Sequence, residues 1–297
     1  MNRQPKICRA VCGLLIFLVV LLSACNAAAT QVTREEATAP LMDEVTQPSS
    51  IRIYAPATPS SVPILMAAEQ MDAAEVTIFT DHAQAHTLFL RGDVDILVTG
   101  LSVGVAFFRQ DVPVRIVNSY VSGLTYLVTR DHQVESFQDL QGKEIMLPFE
   151  GSPIEEVTRY FVEAVGLDWG EDVVPVYTPF PSSVEMLRAG EAKIVALPEP
   201  FVSQVETMPG VEIALSYEST WNALTNSQGG YPQVGVFVQQ AWAAEHTEEI
   251  TAFNRAIERA IATVREDPGA ALTVAQSAME FPPAILDSAL SRTSFTS

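Results

Sequence analysis

Two histidines and an aspartate near residue 82 have the spacing of a possible metal site. His82 and His86 are four residues apart, so a helix would place both imidazoles on one face, directly after Asp81. The metalloprotease pattern needs a glutamate directly after the first histidine, whereas residue 83 is Ala. The sequence therefore favours Asp81 as the N-cap of a helix with two exposed histidines, and we predict no metal site.

The sequence also offers no clear set of catalytic residues. Serines are abundant, but no Ser/His/Asp set can be nominated, and there is no glycine-rich phosphate loop. Cys8, Cys12 and Cys25 all lie within the first 25 residues, which excludes a cysteine nucleophile or a disulfide in the rest of the chain. We therefore predict no catalytic residues, no cofactor and no enzymatic activity.

Polar residues are concentrated in the loops that follow predicted strands. In open α/β sheets ligands bind beyond the carboxyl ends of the strands, where helix N-termini present unpaired N–H groups. Each Ser or Thr there could only cap its helix, and each Gly could allow close backbone approach or supply a positive φ. As a set we nominate them as ligand-binding residues: Thr58, Ser60, Ser61, Asp81, His82, Thr99, Gly100, Ser102, Glu150, Gly151, Ser152, Thr178 and Glu199.

The charge of these loops bears on the charge of the ligand. They contain no Lys or Arg, whereas Asp81, Glu150 and Glu199 are acidic. A buried carboxylate facing an anion would cost several kcal/mol, enough to cancel micromolar binding worth about 8 kcal/mol. The sequence thus favours a neutral or cationic ligand, because a carboxylate makes charge-assisted hydrogen bonds to an amine or an aminopyrimidine edge. Two alternatives stay open: helix N-termini alone can hold an anion, and Glu199 could be a structural group between lobes.

Aromatic residues at predicted strand ends could stack on a flat ligand or pack in the core. Trp221 borders a polar stretch without a clear pattern, residues 222–230, so we expect it to face the ligand and add it to the nominated residues. The remaining candidates are Phe149, Tyr177, Phe180 and Tyr231.

The elements that must position these residues alternate between strands and helices from Ile51 onward. Such alternation predicts an α/β protein with mostly parallel sheets covered by helices. The pattern restarts after Gly123 and becomes helical from Ala241, with an apolar stripe at Ile250, Phe253, Ile257, Ile261 and Val264. We predict two lobes, the second inserted into the first: residues 51–122 and 232–297 form lobe 1, and residues 123–231 form lobe 2.

The first 50 residues have the composition of an export leader and a tether. Arg3, Lys6 and Arg9 precede an apolar run from residue 11 to 22, which is too short to span a membrane and fits the core of a signal peptide. The run ends in Leu-Ser-Ala-Cys at residues 22–25, which resembles the bacterial lipobox. We predict a signal peptide over 1–24, lipidation of Cys25 and a flexible tether over 25–50; an ordinary secretory signal is the alternative.

Overall composition narrows the partners. The chain has 17 Lys and Arg against 36 Asp and Glu, a net charge of −19, and 48% of its residues are hydrophobic. Such an acidic chain repels phosphate backbones, so nucleic-acid binding is excluded. The apolar content suffices to bury a core.

Three stretches resemble the nitrate/sulfonate/taurine and thiamine-precursor type of solute-binding proteins. They are Leu88 to Ile96 (Leu-Phe-Leu-Arg-Gly-Asp-Val-Asp-Ile), Phe137 to Lys143 (Phe-Gln-Asp-Leu-Gln-Gly-Lys) and Leu197 to Pro200 (Leu-Pro-Glu-Pro). Each motif alone is weak, but their order and spacing fit across about residues 51–264.

The resemblance implies the two-lobed periplasmic-binding-protein type II fold, with a small molecule held between the lobes. It also implies a monomeric receptor, lipid-anchored and facing the periplasm or the cell exterior, that serves an ABC permease and its ATPase. The ligand could be a flat heterocycle of the thiamine-precursor kind. An exported sensor or interaction module of the same fold, or an enzyme on this scaffold, is the alternative.

Overall fold

The computed structural model describes residues 50–296. The predicted signal peptide, Cys25 and the tether up to residue 49 lie outside the described residues. Within 50–296, none of the helices combines the length and the apolar character that a membrane crossing requires.

The strands and helices alternate along most of the described chain, as predicted. The strands are β1 (Ile51–Pro56), β2 (Ala74–Phe79), β3 (Ile96–Gly100), β4 (Val114–Gly123), β5 (Thr125–Arg130), β6 (Lys143–Leu147), β7 (Val173–Tyr177), β8 (Ile194–Pro198), β9 (Val211–Ser216), β10 (Val234–Gln239) and β11 (Ser294–Phe295). The helices are α1 (Val62–Ala68), α2 (His82–Arg91), α3 (Leu101–Arg109), α4 (Pro153–Ala164), α5 (Phe180–Ala189), α6 (Phe201–Val205), α7 (Tyr217–Thr225), α8 (Gln240–Glu245), α9 (Thr247–Glu266), α10 (Pro268–Ala278) and α11 (Pro283–Ser291). Short 3-10 turns cover Pro59–Ser61 and Phe137–Leu140.

The strands form two sheets, and each sheet is the centre of one lobe. The sheet of lobe 1 has the order β11-β4-β10-β3-β1-β2, and the sheet of lobe 2 has the order β7-β6-β8-β5-β9. The chain passes from the first sheet to the second at Leu124, between β4 and β5, and returns between α7 and β10.

Both sheets are mixed, whereas the sequence predicted mostly parallel ones. Strand β1 pairs in parallel with β2 and β3, but β10 runs antiparallel to both β3 and β4. In lobe 2, β6 is parallel to β7 and β8, but β5 is antiparallel to β8 and β9. The antiparallel strands are the ones next to the passages between the lobes, where a strand enters a sheet without a preceding crossover helix.

The core of lobe 1 confirms the predicted apolar stripe of the long helix α9. Phe253, Ile257 and Ile261 are at most 1% exposed and pack against the sheet residues Ile53 and Val236. Their spacing of four residues puts them on one face of the helix. A separate core in lobe 2 surrounds Phe161 and Tyr217.

Two local predictions in lobe 2 are wrong. The Ser-Ser-Val-Glu sequence of residues 182–185 has the form of a capping box and predicts a helix start there, but α5 begins at Phe180, because Pro181 fixes a helical φ in the first turn. Trp221 lies inside α7 instead of at a loop. The Ser216 hydroxyl caps α7 by accepting a hydrogen bond from Ser219 N at 3.2 Å, and Asn226 ends it with φ at 51°.

Candidate functional site

A cavity of about 90 Å³ lies where the carboxyl ends of β1 and β3 face the N-terminus of α4 across the two lobes. Lobe 1, lobe 2 and the passage at Leu124 all contribute to its wall. The lining residues are Pro56, Thr58, Ser60, His82, Thr99, Gly100, Val103, Leu124, Pro148, Phe149, Ser152, Pro153, Ile154, Phe180, Pro198, Gln233 and Val234. The rule that ligand sites follow the carboxyl ends of strands therefore locates this cavity.

Hydroxyl groups of lobe 1 form one wall. Thr58 Oγ1 and Ser60 Oγ are 2.6 Å apart and share a hydrogen bond at the turn after β1. The buried Tyr120 hydroxyl donates to the Ser60 carbonyl oxygen at 2.6 Å and fixes that turn. Thr99, at the end of β3, is 2% exposed. These side chains are held in place by the sheet and by its buried tyrosine.

The two histidines of α2 are partly buried, so the prediction of exposed histidines is wrong. His82 lines the cavity, with its ring 5.1 Å from that of Phe79 and 6.3 Å from that of Phe149 across the cleft. His86 Nε2 lies 3.1 Å from Thr99 Oγ1. Burial lowers the pKa of His82 below its ordinary value, and burial together with His82 lowers the pKa of His86 to about 4. Both imidazoles are therefore neutral at pH 7.

The wall of lobe 2 is formed by the start of α4 and by two aromatic residues. Ser152 Oγ accepts a hydrogen bond from Glu155 N at 3.1 Å, so Ser152 caps α4, and it also borders the cavity. The Glu155 carboxylate accepts from Gly151 N instead of closing a full capping box on Ser152. Phe149 and Phe180 present aromatic surface to the cavity.

The two lobes come close together at Gly100. A Cβ at this position would lie 2.1 Å from Pro153 Cγ, far inside any real contact distance. Gly100 thus allows Pro153 of the other lobe to pack closely against its backbone. Gly151 has a different role. Its φ is +75° and no atom lies near its missing Cβ, so glycine is needed there for the backbone conformation and not for close approach.

The cavity wall contains no Arg, Lys, Asp or Glu among the described residues. Asp81 is exposed and caps α2 by accepting from Gln84 N at 3.0 Å, as predicted. Glu150 is exposed as well. Glu199 is fully buried, but its carboxylate faces Ser203 and Arg292, which contact it at 2.8 Å and 3.3 Å. None of the three nominated carboxylates therefore borders the cavity.

The remaining nominated residues also lie off the cavity. The buried Ser61 donates to the Pro56 carbonyl oxygen, and Thr178 accepts from Ser183 Oγ through its carbonyl oxygen at 3.2 Å. Trp221 packs against Tyr160 and Tyr231, with ring centroids 5.5 Å and 5.6 Å away. The lining set thus keeps six of the nominated residues: Thr58, Ser60, His82, Thr99, Gly100 and Ser152.

The inference that the sequence lacks a Gly-x-Ser-x-Gly motif for a serine nucleophile is wrong at Ser102. Residues 100–104 read Gly-Leu-Ser-Val-Gly, the spacing of the nucleophile turn in α/β-hydrolases, and they connect β3 to α3. That turn needs a strained serine beside a histidine base. Ser102 has no positive φ, and its buried hydroxyl has no hydrogen-bond partner within residues 50–296. This geometry does not form a hydrolase nucleophile.

Gln233 is the polar lining residue that sequence reasoning missed. The nominated residues follow the carboxyl ends of strands, whereas Gln233 precedes β10. Because β10 is antiparallel to β3, with Val234 opposite Gly100, the start of β10 lies at the same edge as the end of β3. The available signal was a single polar residue at the predicted passage between lobes, directly before an apolar strand.

Metal ligation has no support in the described part of the chain. Between residues 50 and 296, no group of three or more His, Cys, Asp or Glu side chains is arranged to hold a metal ion. The rings of His82 and His86 meet edge to face at 6.1 Å, and Asp81 is engaged in its helix cap.

Comparison with known proteins identifies the family. The family model described as NMT1/THI5 like matches residues 74–271, which is about two thirds of the chain. The chain belongs to the NMT1/THI5-like family. A comparison with curated protein sequences found no match.

Solved structures of similar fold are periplasmic binding proteins. The aliphatic sulphonate binding protein SsuA from Escherichia coli has a TM-score of 0.69 and 15% identity, covering 84% of this chain and 82% of that one. The alkanesulfonate-binding protein SsuA from Xanthomonas axonopodis pv. citri gives 0.68 and 14%, covering 84% and 87%. The nitrate-binding protein NrtA from Synechocystis PCC 6803 gives 0.66 and 14%, covering 81% and 70%. These matches confirm the periplasmic-binding-protein type II fold.

The three solved structures named above are binding proteins for aliphatic sulphonate, alkanesulfonate and nitrate, and at 14–15% identity they establish the fold of this chain. The matching family model agrees with the resemblance found in the sequence. The suspected family is thereby confirmed. The identity of the ligand, by contrast, depends on the cavity of this chain and not on the low sequence identity to its neighbours.

Proposed function

We propose that this protein is an exported, lipid-anchored receptor that captures a small, uncharged organic molecule between its lobes and delivers it to an ABC permease and its ATPase. The observation that carries the proposal is the interlobe cavity, whose wall combines hydroxyls, an amide, a neutral imidazole and two phenyl rings without a charged side chain. We further propose that the receptor acts as a monomer.

The absence of charge from the cavity wall favours a neutral ligand. Moving a charged group from water into an uncharged site costs several kcal/mol unless an opposite charge or a dense set of hydrogen bonds compensates it. Micromolar binding is worth about 8 kcal/mol, so an uncompensated charge would remove most of it. The cationic alternative from the sequence depended on Asp81, Glu150 and Glu199, and these carboxylates lie elsewhere.

Size and shape favour a compact, flat molecule. The cavity of about 90 Å³ is smaller than the roughly 300 Å³ at the lower end of drug-sized pockets. Phe149 and Phe180 offer apolar ring surface on the side of lobe 2, while the polar groups lie mainly on the side of lobe 1. A small heterocycle of the thiamine-precursor kind fits this division, because its faces stack and its edge makes hydrogen bonds.

Native mass spectrometry of the protein purified from its own host tests this proposal most directly. We expect a bound small molecule without formal charge. A thermal-shift panel of amides, pyrimidines, amines, taurine, alkanesulfonates and nitrate then ranks chemical classes, since a ligand at 100 times its Kd stabilises the protein by about 2.7 kcal/mol. Stabilisation by nitrate or sulfonates alone would show that the helix N-termini govern the site and that the neutral-ligand proposal is wrong.

A pair of phenylalanine variants locates the site. Phe149 lines the cavity and is 37% exposed, whereas Phe108 on α3 is 70% exposed and lies outside it. Phe149→Ala should weaken binding of the stabilising compound at least tenfold, and Phe108→Ala should leave it unchanged. Equal affinities in both variants would place the ligand outside the cleft.

Ligand binding between two lobes also predicts a change of shape. A ligand contacts both walls only when the lobes close on it, and the permease can then recognise the closed form. Solution scattering should give a smaller radius of gyration with saturating ligand than without. An identical profile would favour a static sensor or interaction module of the same fold.

The lipid anchor has its own test. Intact-mass analysis of membrane-expressed protein should show cleavage before Cys25 and the added mass of a diacylglyceryl group and an N-acyl chain. Several acyl chains are needed because a single chain anchors a protein only marginally. A Cys25→Ser variant should be released from the membrane fraction; a variant that stays bound would contradict lipidation at this residue.

A further inference from the structure

Gln233 occupies a fixed position in the wall of the interlobe cavity. It is 5% exposed and lies at the end of the passage from lobe 2 back into lobe 1. Its backbone N–H donates to the Val121 carbonyl oxygen at 2.9 Å, and its own carbonyl oxygen accepts from Leu101 N at 3.0 Å. These two bonds attach the Gln233 backbone to both β4 and the start of α3, so the position from which its side chain extends is fixed.

The nitrogen of the Gln233 side-chain amide has a hydrogen-bond partner, whereas its oxygen has none within residues 50–296. The Nε2 group donates to Thr125 Oγ1, at the start of β5. The Oε1 atom is buried and accepts no hydrogen bond from any group within residues 50–296. A buried carbonyl oxygen without a donor is costly, and few occur in native proteins. Because Gln233 is a lining residue of the cavity, the unpaired acceptor on its side chain points to a donor that the ligand supplies.

The hydroxyls around the cavity differ from Gln233 because each has a partner. Thr58 and Ser60 bond to each other, Thr99 bonds to His86, and Ser152 accepts from the backbone of α4. A hydroxyl can also rotate to serve either as donor or as acceptor, so it discriminates only weakly between ligands that donate and ligands that accept a hydrogen bond. The Gln233 oxygen only accepts, and its amide is oriented by the bond to Thr125.

We propose that Gln233 determines specificity by selecting uncharged ligands that carry an N–H or O–H donor, which its Oε1 accepts. This inference rests on the proposed function, since it names the chemical class that the same cavity takes. A single neutral acceptor suits an amide, amino-heterocycle or hydroxyl donor. It does not suit an ammonium ion, because no carboxylate borders the cavity to compensate the charge.

Matched pairs of compounds test the donor requirement. The probes are 4-aminopyrimidine against 4-methylpyrimidine, and benzamide against acetophenone, measured by calorimetry at pH 8 where the amino compounds are uncharged. Each pair replaces an NH₂ group with a methyl group of similar size. We expect the wild-type protein to bind at least one donor compound about 10-fold to 100-fold more tightly than its methyl analogue, the range for leaving a buried acceptor unpaired.

Two variants and one control assign the selectivity to Gln233. Gln233→Met keeps the length of the side chain and should reduce the preference to below about threefold. Gln233→Glu keeps an acceptor at the same place and should retain a preference for the donor compound. Gln239→Met, at the far end of β10, is the matched control: Gln239 Nε2 donates to the Phe89 carbonyl oxygen at 2.7 Å, away from the cavity, so the preference should persist.

The outcomes separate this inference from the proposed function. If native mass spectrometry finds a neutral ligand but no donor compound is preferred over its methyl analogue, the assignment to Gln233 is overturned and the receptor function stands. If Gln233→Met, folded by its melting curve, keeps the wild-type preference, the assignment is likewise overturned. If no small molecule binds the wild-type protein, the proposed function itself fails.

Discussion

The two lobes meet in two regions of opposite chemistry. In the cavity the facing surfaces are uncharged, and Gly100 lies close against Pro153 of the other lobe. Where α11 ends, by contrast, the Arg292 guanidinium of the C-terminal segment contacts Glu199 and Glu206 of lobe 2. Phe281 adds an aromatic contact to Phe201 at 5.8 Å in the same region.

The groups that connect the two lobes at Arg292 are different from the groups that line the cavity. Glu199 and Arg292 satisfy one another, together with Ser203, so neither is free to recognise a solute. The cavity keeps neutral groups, one of which, Gln233 Oε1, has no partner within residues 50–296. The charged groups therefore pair with one another between the lobes. The cavity wall, by contrast, offers only neutral hydrogen-bonding groups.

The largest expected effect is that of Arg292→Met. Removing the guanidinium leaves the fully buried Glu199 without its cation, which costs about 3–5 kcal/mol in the free energy of unfolding. Urea denaturation at pH 7.5 measures the loss. Arg188→Met removes an exposed pair to Glu185 at 3.8 Å and should cost less than about 1 kcal/mol.

The pH dependence of the Arg292→Met deficit gives an independent check. Burial raises the pKa of Glu199 above its ordinary value, although Ser203 and Arg292 act in the opposite direction. An acid with a raised folded-state pKa contributes stability below its unfolded pKa and loses it as the pH rises through the folded one. The deficit should therefore shrink on acidification as Glu199 takes up a proton. A deficit independent of pH would mean that packing, and not charge, dominates this contact.

Gly100→Ala should have the next largest effect, on the uncharged side of the comparison. The added methyl group cannot fit against Pro153, and a proline ring cannot rotate away, so the lobes must shift apart. We expect a loss of about 1–3 kcal/mol in stability and a tenfold or greater loss in ligand affinity. Gly229→Ala, at a glycine with no atom near its missing Cβ, is the matched control and should change neither quantity.

A smaller effect is expected for Asp81→Ala. Losing the N-cap of α2 should cost about 1 kcal/mol, because Gln84 N loses its acceptor. Ligand affinity should stay the same, since Asp81 does not border the cavity. Asp81→Asn keeps a capping oxygen and should restore most of the stability. A tenfold fall in affinity for Asp81→Ala would put this carboxylate back among the ligand-binding groups.

At pH 7 the smallest effect is that of His86, because its contribution appears only on acidification. Its pKa is lowered by burial to about 4, so the unfolded chain binds a proton that the folded protein excludes between about pH 6.5 and 4. Stability from this group is present above pH 6.5 and is lost as the pH falls through that range. His86→Gln, which can still bond to Thr99, should flatten the slope in denaturation curves at pH 4, 5, 6 and 7. An unchanged slope would indicate that the carboxylates alone control acid unfolding.

The sequence by itself determined those features that depend on local periodicity and on short motifs. The alternation of strands and helices, the apolar stripe of α9 and the cap at Asp81 all appear as predicted. Each depends on residues within one or two turns of each other, so the spacing along the chain carries the information. The rule that ligands bind beyond the carboxyl ends of strands points to the same edge, at the ends of β1 and β3, at which the cavity lies.

Tertiary structure alone decided which polar residues of those loops face the cavity and which face other parts of the protein. Glu199 and Arg292 are 93 residues apart in the sequence, so no local pattern shows that the carboxylate is already paired. Gln233 reaches the cavity only because β10 runs antiparallel to β3, a direction that its composition does not encode. Helix formation by residues 217–225 likewise turned Trp221 toward Tyr160 and Tyr231. In each case long-range strand order and packing, which act between residues distant in sequence, fixed the direction of a side chain whose type was already known.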